Sequence, residues 1–427
     1  MSAPAQSEGG STLEPSPRGA LRALAGRPGA LLLQEGPITL LSCDPAETLR
    51  VEAGEAVLPA LEGILADRSS GDLWCLALSY EAGRALVPGG GEAPPGESVP
   101  RLLAHRYRAW LELRPGEAAP RPRGEPEARE ALLSLLGGAP PVPAGQSEGA
   151  ARRDLDEAAY AERFARIQEA LAAGRYYQLN LTTAHRARWE GDPLAFFERL
   201  VGAGELPLRA GYLDAGDRVI ASASPELLVE YEPATGVAVS APIKGTCANE
   251  GSDAERRRRF ERLRRDPKER AEHIMIVDLV RNDLGRVCRP GSVRPRQLFE
   301  RLVSGPVQHL VTHVEGLLSP DHSTLELLQA LLPGGSVTGA PKIAAMRAIE
   351  ALEVAPRGYY CGAFGRVGPA GALSLTLPIR TATLTRAGDG RWEVEYPSGG
   401  GIVAGASMER ELAELELKAA RFRGALE

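Results

Sequence analysis

Lysine is nearly absent from this chain of 427 residues. Only four occur, and because Lys and Arg together number 50, the other 46 positive side chains are arginine. Arginine does not lose its proton in proteins, whereas a buried lysine can become a neutral amine and act as a nucleophile or a base. A lysine kept in such a chain therefore suggests a chemical role. The four are Lys244, Lys268, Lys342 and Lys418.

Cysteine is also scarce. The five residues Cys43, Cys75, Cys247, Cys288 and Cys361 are widely spaced and form no CxxC pair. This spacing argues against a disulfide framework or a zinc site, and it fits a reducing, cytoplasmic location. No apolar run is long enough to predict a signal peptide or a transmembrane helix, so we expect no membrane partner.

The chain has no excess of positive charge. Its net charge is −6 and 43% of its residues are hydrophobic, which argues against a nucleic-acid partner. Residues 255–262 are rich in arginine, but interleaved acids at helical spacing favour a solvated helix face there. Small acidic substrates remain compatible with this composition.

The distribution of Pro, Gly and apolar runs divides the chain into four segments. Residues 1–18 predict a disordered tail, and residues 19–113 predict strands around one or two helices. Residues 114–153 predict a Pro/Gly-rich linker or surface excursion, and residues 154–427 carry the chemical motifs. Because strands and helices come in blocks, we predict an α+β fold with large antiparallel sheets.

Lys244 lies in the segment PIKGT at residues 242–246. Proline fixes the entry to a turn, and glycine lets a ligand approach the backbone closely. The alternative is a lysine exposed at the end of a hairpin. A second polar corner, residues 224–226, places Glu226 between apolar strands, either in a plain turn or with its carboxylate in a cleft.

Two pairs of glutamates repeat the spacing ExxE on separate predicted helices. Glu269 and Glu272 extend the apolar stripe of one helix, and Glu411 and Glu414 lie on the margin of the stripe of the other. Carboxylate oxygens suit a hard cation such as Mg²⁺, which keeps open positions for water and substrate. Either pair alone is typical of a solvated helix surface.

Three further segments favour an acidic ligand. Residues 333–342, PGGSVTGAPK, offer backbone N–H groups that run into a predicted helix. Arg380 falls in an apolar predicted strand, where a carboxylate partner would make its burial tolerable. Residues 397–403, PSGGGIV, lack side chains that would keep a ligand from the main chain. Together with a cation site, they indicate a small substrate with several carboxylates.

These segments resemble the chorismate-utilising enzymes over residues 161–422. PIKGT, RAEHIMIVDLVRND at residues 270–283, PGGSVTGAPK and GGGIV at residues 399–403 occur in that family's order and spacing. The resemblance implies an anthranilate synthase component I-like fold: a large two-sheet β-sandwich with helices packed outside and a central cleft for chorismate and Mg²⁺. It also implies a partner glutamine amidotransferase that supplies ammonia.

Two positions select a branch of this family. Members that add water to chorismate carry a base lysine where this chain has Gln178, and an amide cannot deprotonate water. Among ammonia users, anthranilate synthases carry alanine in the PIxGT turn and aminodeoxychorismate synthases carry lysine. Lys244 thus indicates the aminodeoxychorismate synthase branch, which serves 4-aminobenzoate and folate synthesis. The implied mechanism is attack of Lys244 on C2 of chorismate, followed by ammonia at C4.

The resemblance assigns the carboxylates to the metal. It implies that Glu272 and Glu414 bind Mg²⁺, with Glu269 and Glu411 nearby or bridging through water. In this assignment the metal holds the ring carboxylate of chorismate.

The remaining matches are expected to act on the substrate itself. Lys244, Glu226 and His309 are the expected catalytic residues, with Glu226 as proton donor and acceptor. The expected substrate-binding residues are Gln178, Gly245, Thr246, Thr338, Gly339, Ala340, Tyr360, Arg380, Gly399, Gly400 and Gly401.

The sequence leaves alternatives open. The nearest is anthranilate synthase component I, and an amino-chorismate synthase of secondary metabolism is another. A non-catalytic scaffold is disfavoured by the complete ligand set, and a pyridoxal phosphate Schiff base at Lys244 lacks a phosphate site. No cysteine lies in a G-x-C-x-G elbow, so we expect the chain to need free ammonia or a partner glutaminase.

Overall fold

Two large antiparallel sheets, packed face to face, form the framework of the protein. The structure, a computed structural model, describes residues 16–67, 71–90, 96–137, 142 and 144–427. Residues 1–15 of the predicted tail lie outside the described residues, and the first helix begins at Pro17.

The helices lie mainly between the strand-rich segments of the chain. Within the described residues they are α1 (Pro17–Ala23), α2 (Leu58–Ala66), α3 (Tyr80–Ala85), α4 (Pro126–Ser134), α5 (Glu157–Ala172), α6 (Pro193–Val201), α7 (Asp253–Arg265), α8 (Pro267–Gly285), α9 (Thr324–Leu331), α10 (Lys342–Leu352) and α11 (Met408–Leu426). Short 3₁₀ turns cover Leu135–Gly137, Gly335–Val337 and Pro369–Gly371.

The strands vary from two residues to thirteen. They are β1 (Leu31–Glu35), β2 (Ile38–Ser42), β3 (Glu47–Val51), β4 (Leu73–Leu78), β5 (Leu102–Tyr107), β6 (Ala109–Leu113), β7 (Arg121–Gly124), β8 (Gln146–Arg153), β9 (Gln178–Glu190), β10 (Gly211–Asp214), β11 (Arg218–Ser222), β12 (Leu227–Glu232), β13 (Val237–Ala241), β14 (Ile243–Ala248), β15 (Arg294–Pro295), β16 (Glu300–Ser304), β17 (Val307–Val311), β18 (Val314–Leu317), β19 (Gly339–Ala340), β20 (Ala363–Val367), β21 (Leu373–Thr376), β22 (Thr381–Arg386) and β23 (Trp392–Val403).

The described strands form three sheets. The larger of the two main sheets has the order β19-β9-β23-β22-β11-β10-β1-β2-β6-β7, and β8 also pairs with β9. The second main sheet has the order β15-β18-β13-β12-β21-β20-β4-β5-β3. A small sheet, β14-β17-β16, lies beside them. The long antiparallel ladder between β9 and β23 brings Gln178 opposite Val403 at one end of the larger sheet.

Alternation along the strands builds the core between the main sheets. In β1, Leu31 and Leu33 belong to the cluster that also contains Cys75 and Phe364 of the second sheet, whereas Leu32 belongs to the cluster on the outer face. This is the period of two expected for a strand with apolar contacts on both faces.

Helices cover the outer faces of the sandwich. The aromatic residues Phe196 of α6 and Phe422 of α11 pack on the larger sheet, while Ile167 of α5, Val280 of α8 and Ile349 of α10 belong to the cluster on the second sheet. The predicted two-sheet sandwich with helices outside is confirmed. Among the described residues, no helix combines the length and apolar character that crossing a membrane requires.

The segments predicted as separate regions share the same sheets. Residues 19–113 supply strands to both main sheets, and residues 114–153, predicted as a linker or excursion, supply β7, α4 and β8. Proline suggested a linker there, but β7 ends the order of its sheet, and an edge strand tolerates Pro122 because its N–H side need not be paired.

A buried ion pair joins α8 to α10. Lys342 Nζ lies 2.6 Å from Asp283 Oδ2, and the two side chains are 9% and 5% exposed. Asp283 is near the C-terminus of α8 and Lys342 begins α10, so each charge lies at the helix end whose dipole disfavours it. The attraction between the two charges offsets the unfavourable helix dipole at each position. It also connects the segment 333–341 to α8.

Candidate functional site

A β-bulge orients Lys244. In the ladder of β14 and β17, Lys244 pairs with Leu310 and Thr246 pairs with His309, so Gly245 is an extra residue on one strand. Gly245 has φ +72°, and a Cβ there would lie 3.0 Å from Glu269 Oε2. The backbone conformation therefore favours glycine, and the approach of Glu269 on α8 leaves little room for a side chain. Lys244 is half-buried and makes no ion pair with a described carboxylate.

Glu226 is a buried carboxyl group close to Lys244. It follows the corner between β11 and β12, is 4% exposed, and accepts a hydrogen bond of 2.7 Å from the Ser336 hydroxyl. Burial raises the pKa of Glu226 to about 7, against the opposing effects of Ser336 and of the Lys244 charge. Both protonation states are therefore populated near neutral pH, which suits a general acid and base.

His309 is neutral and holds Arg380. Burial, followed by the charge of Arg380, lowers the pKa of His309 to about 3. Arg380 Nη2 donates to His309 Nε2 over 3.0 Å, while Nδ1 lies 3.3 Å from the Gly245 carbonyl and 3.1 Å from the Thr246 hydroxyl. A guanidinium can only donate hydrogen bonds and a carbonyl can only accept them. Nε2 of His309 therefore accepts from Arg380, and the proton of the imidazole is on Nδ1, on the side of the Gly245 carbonyl. His309 thus links the lysine strand to the arginine.

Arg380 lies outside the strand predicted for it. It lies at the corner between β21 and β22 with φ +52°, not within a strand. It also makes no ion pair with any carboxylate of the described residues, and its hydrogen-bond partner is His309. Burial lowers the pKa of Arg380, with Arg421 contributing in the same direction. A half-buried guanidinium without a protein carboxylate is suited to an anionic ligand.

The glycine-rich end of β23 lies against the start of β9. A Cβ on Gly401 would lie 2.6 Å from Gln178 Nε2, so the Gln178 amide occupies the space that a side chain would need. Gln178 is fully buried, and its Oε1 has no hydrogen-bond partner among the described residues. The predicted residues Gly339 and Ala340 form β19 and pair with Leu179 and Gln178.

The segment after α9 connects this strand to Glu226. The Thr338 carbonyl accepts from Asn180 N over 2.9 Å, and Ser336, two residues earlier, donates to Glu226. Tyr360 is 6% exposed, and Cys361 N beside it donates to the Pro378 carbonyl over 2.9 Å. Among the described residues no hydrogen bond joins Tyr360 to Arg380 or to the glycines of β23.

The start of α8 is fixed by its cap. The Asp266 side chain accepts from Lys268 N and Glu269 N over 2.9 and 3.1 Å, and Pro267 occupies the first turn. This start places Glu269 and Glu272 on one side of the first two turns.

The turn before α11 is held by a side chain of α5. Gln168 Nε2 donates to the Val403 carbonyl over 2.9 Å, and Gln168 Oε1 accepts from Gly405 N over 3.3 Å. The first turns of α11 then carry Glu411 and Glu414 beside the glycine strand, where a Cβ on Gly400 would lie 3.1 Å from Glu411 Oε2.

The four predicted ligand carboxylates influence one another. Burial, and then the charge of Glu414, raises the pKa of Glu411 to about 6. Burial, and then the charge of Glu272, raises the pKa of Glu269. The charge of Lys418 lowers the pKa of Glu414. The charge of Glu414 also raises the pKa of Glu269, and the charge of Glu272 also raises that of Glu411, so the two ExxE pairs interact with each other.

Each second glutamate is paired with a lysine four residues away. Lys268 Nζ lies 3.7 Å from Glu272 Oε1, and Lys418 Nζ lies 2.8 Å from Glu414 Oε1 and 2.7 Å from the Gly399 carbonyl. No group of three or more His, Cys, Asp or Glu donors is close enough to hold a metal among the described residues. The chemistry of the four carboxylates nevertheless suits Mg²⁺, because all four offer oxygen ligands.

Three contacting residues were missed in the sequence. Ser336 lies within a segment that was singled out, but nothing in the sequence marked its contact with Glu226. Two features of the sequence could have identified Lys268 and Lys418 as contacts of the site. Lysine is scarce in this chain, and each of the two is four residues from a predicted metal ligand.

The geometry is matched by similarity to known proteins. A model of the chorismate binding enzyme family matches residues 21–424. The chain belongs to the chorismate-binding enzyme family. Within this family, its fold resembles the crystal structure of anthranilate synthase component I from Streptococcus pneumoniae, with a TM-score of 0.77 at 24% identity over 91% of this chain and 92% of that one.

Two curated members of the family carry different names. The chain is 38% identical over 268 residues to aminodeoxychorismate synthase component 1 of Salmonella typhimurium, covering 63% of this chain and 57% of the relative. It is 37% identical over 313 residues to anthranilate synthase component 1 of Thermus thermophilus, covering 72% and 66%. The matched segments span less than two thirds of either relative. One relative is named an aminodeoxychorismate synthase and the other an anthranilate synthase.

The raised pKa of Glu226 makes stability depend on pH. A carboxyl whose pKa rises from 4.5 to about 7 on folding loses its contribution to stability as pH rises through that interval. Glu226→Gln keeps an acceptor for Ser336 and never ionises. We therefore compare the free energy of unfolding of the variant with that of wild type at each pH. As pH rises from 4 to 8, we expect this difference to shift in favour of the variant by up to about 3 kcal/mol.

Urea unfolding at both pH values measures this change. The matched control is Glu162→Gln, an exposed glutamate on α5, for which the difference from wild type should stay nearly constant. A Glu226→Gln difference that is equally independent of pH would contradict the raised pKa.

Proposed function

We propose that this chain is the chorismate-binding component of an aminodeoxychorismate synthase. It converts chorismate and ammonia to 4-amino-4-deoxychorismate and water. The observation that carries the proposal is Lys244, an amine without a carboxylate partner, oriented by the Gly245 bulge and close enough to Glu226 to lower the pKa of that carboxyl. The name of the Salmonella typhimurium relative supports the same reaction.

Lys244 and Glu226 share the proton transfers. Only the unprotonated amine can attack, so the Glu226 carboxylate first accepts a proton from the Lys244 ammonium. The amine then forms a bond to C2 of chorismate, the two ring double bonds shift, and the C4 hydroxyl leaves as water with the proton that Glu226 returns. Ammonia next bonds to C4, the double bonds shift back, and the C2–N bond to Lys244 breaks. A pKa of about 7 lets Glu226 serve in both directions.

Arg380 and the glycine strand hold the enolpyruvyl carboxylate in this proposal. The neutral His309 positions the guanidinium by accepting from it, and Gly399–Gly401 present main chain without side chains. The carboxylate of the substrate supplies the charge that Arg380 lacks among the described residues.

Mg²⁺ would be held by Glu272 and Glu414, with Glu269 and Glu411 beside them. When bound, the ion would neutralise the ring carboxylate and fix its position. The carboxylates of Glu272 and Glu414 would first have to leave the ammonium groups of Lys268 and Lys418.

Ammonia would come from a glutaminase partner. Four of the five cysteines are buried, and the half-buried thiol of Cys247 also has a pKa that burial raises. Burial likewise raises the pKa of Cys43, Cys75, Cys288 and Cys361. Glutamine hydrolysis by a cysteine needs an activated thiolate, which these thiols do not supply.

Replacement of Lys244 tests the covalent step. Lys244→Arg keeps the charge but offers no free amine, so we expect it to lower aminodeoxychorismate formation at least about a hundredfold, as Lys244→Ala does. Mass spectrometry of the products with saturating ammonium salt and Mg²⁺ measures this. Cys247→Ser, on the same strand, is the matched control and should retain activity. An arginine variant near the wild-type rate rules out covalent catalysis, and wild-type release of anthranilate and pyruvate indicates the anthranilate synthase reaction.

Replacement of the glutamates tests the metal assignment. We expect Glu272→Gln or Glu414→Gln to weaken Mg²⁺ binding about tenfold or more, because each removes a charged ligand. Calorimetric titration with Mg²⁺ measures binding without turnover. Glu416→Gln, two residues from Glu414 and paired with Arg153, should bind Mg²⁺ like wild type. Unchanged affinity in both ligand variants would remove the metal from these helices.

The nitrogen source tests the partner. The homogeneous chain should consume chorismate with an ammonium salt but not with glutamine, since none of its thiols is activated. Chorismate consumption is followed by liquid chromatography in parallel reactions. Turnover with glutamine in the absence of any added protein would contradict this prediction, and its loss in Cys247→Ala would place the glutaminase nucleophile at Cys247.

A further inference from the structure

A second cavity lies outside the candidate site. It has a volume of about 720 Å³ and lies between the end of α6 with the following loop, the turn from β16 to β17, and the last turns of α11. None of its lining residues belongs to the chorismate site proposed above. Its size is in the range of cavities that bind small molecules.

Three polar side chains in the wall have atoms without partners. Within the described part of the chain, Arg199 Nη1, Ser304 Oγ and Arg421 Nη1 are buried and make no hydrogen bond. Ser304 is 2% exposed. A buried polar atom without a partner costs free energy, so the wall of this cavity holds three unsatisfied donors.

Arg421 has the greatest need of a counter-ion. It forms neither an ion pair nor a hydrogen bond with any described residue, whereas Arg22, Arg209 and Arg366 are each paired with a glutamate. Its guanidinium lies against Gly305 in the turn between β16 and β17. Arg199 has one donor satisfied by the Gly145 carbonyl at 2.8 Å and packs over the Trp189 ring.

The rest of the wall is apolar. Seven lining residues offer aliphatic surface: Leu200, Val201, Leu206, Pro207, Leu208, Val303 and Pro306. The one acidic lining residue, Glu205, is exposed. The wall therefore combines positive charge at one part with apolar surface at another, which suits an anion with a hydrophobic body.

We propose that this cavity binds an apolar carboxylate. Arg421 and Arg199 neutralise the carboxylate, Ser304 donates a hydrogen bond to it, and the aliphatic wall covers the hydrophobic part. Arg421 lies one helical turn after Lys418, which donates to Gly399 in the candidate site, so the two sites adjoin along α11.

Binding of 2-naphthoate to the full chain tests this site. We expect calorimetric titration to give a Kd below about 1 mM. The neutral isostere 2-naphthamide should bind at least about tenfold more weakly, because it brings no charge to Arg421. Inorganic phosphate, an anion without a hydrophobic body, should also bind at least about tenfold more weakly.

Three variants locate the bound probe. Arg421→Gln should weaken 2-naphthoate binding at least about tenfold, and Ser304→Ala about threefold. Ser304→Ala removes a hydroxyl without a partner, so it should fold as well as wild type and keeps the test valid if Arg421→Gln does not fold. Arg380→Gln, in the candidate chorismate site, removes a charge that also acts on Arg421, so it should weaken 2-naphthoate binding less than Arg421→Gln does.

Four results would overturn the proposal. They are no binding of 2-naphthoate, equal binding of 2-naphthamide, equal or tighter binding of phosphate, and loss of binding in Arg380→Gln with retention in Arg421→Gln and Ser304→Ala. The last result would place the probe in the chorismate site. None of these measurements depends on turnover, so their outcome is separate from that of the proposed reaction.

Discussion

The structure depends on one constraint: charged side chains lie in the cleft without an ion-pair partner among the described residues. Arg380 and Lys244 make no ion pair with a described carboxylate, and the buried carboxyl of Glu226 accepts a hydrogen bond from the Ser336 hydroxyl. Folded proteins tolerate such groups only where rigid surroundings hold them. The two sheets, the buried pair of Lys342 with Asp283 and the cap of α8 supply that rigidity. A ligand with several carboxylates would complete the charges.

The distribution of lysine follows from this constraint. Three of the four lysines contact an acid of α8 or α11, and the fourth, Lys244, affects the pKa of Glu226. Elsewhere the chain uses arginine, whose planar guanidinium forms the many surface pairs. A lysine ammonium is compact and, unlike the guanidinium of arginine, it can lose its proton. The bulge at Gly245 shifts the register of β14 directly after Lys244.

The sequence predicted the sandwich, the family and the segments that meet in the cleft, because those features depend on local patterns and on motif spacing. Long-range geometry was less accessible. The sequence predicts Arg380 within a strand, but it lies at a corner with φ +52° and contacts His309. The sequence predicts a linker or surface excursion over residues 114–153. Because an edge strand tolerates proline as a linker does, proline could not predict that β7 pairs at the edge of the larger sheet. Ser336 could not be chosen without knowing which loop approaches Glu226.

The covalent bond between Lys244 and the substrate is the central claim. It is tested most directly by mixing the chain with chorismate and Mg²⁺ in the absence of ammonia, quenching with acid, and identifying the modified peptide by mass spectrometry. The expected result is a peptide containing Lys244 that carries the mass of chorismate less one water, absent when ammonium is added before the quench. An unmodified Lys244 peptide from a sample that is fully active with ammonium, or the same mass on Lys268 or Lys418, would contradict the claim.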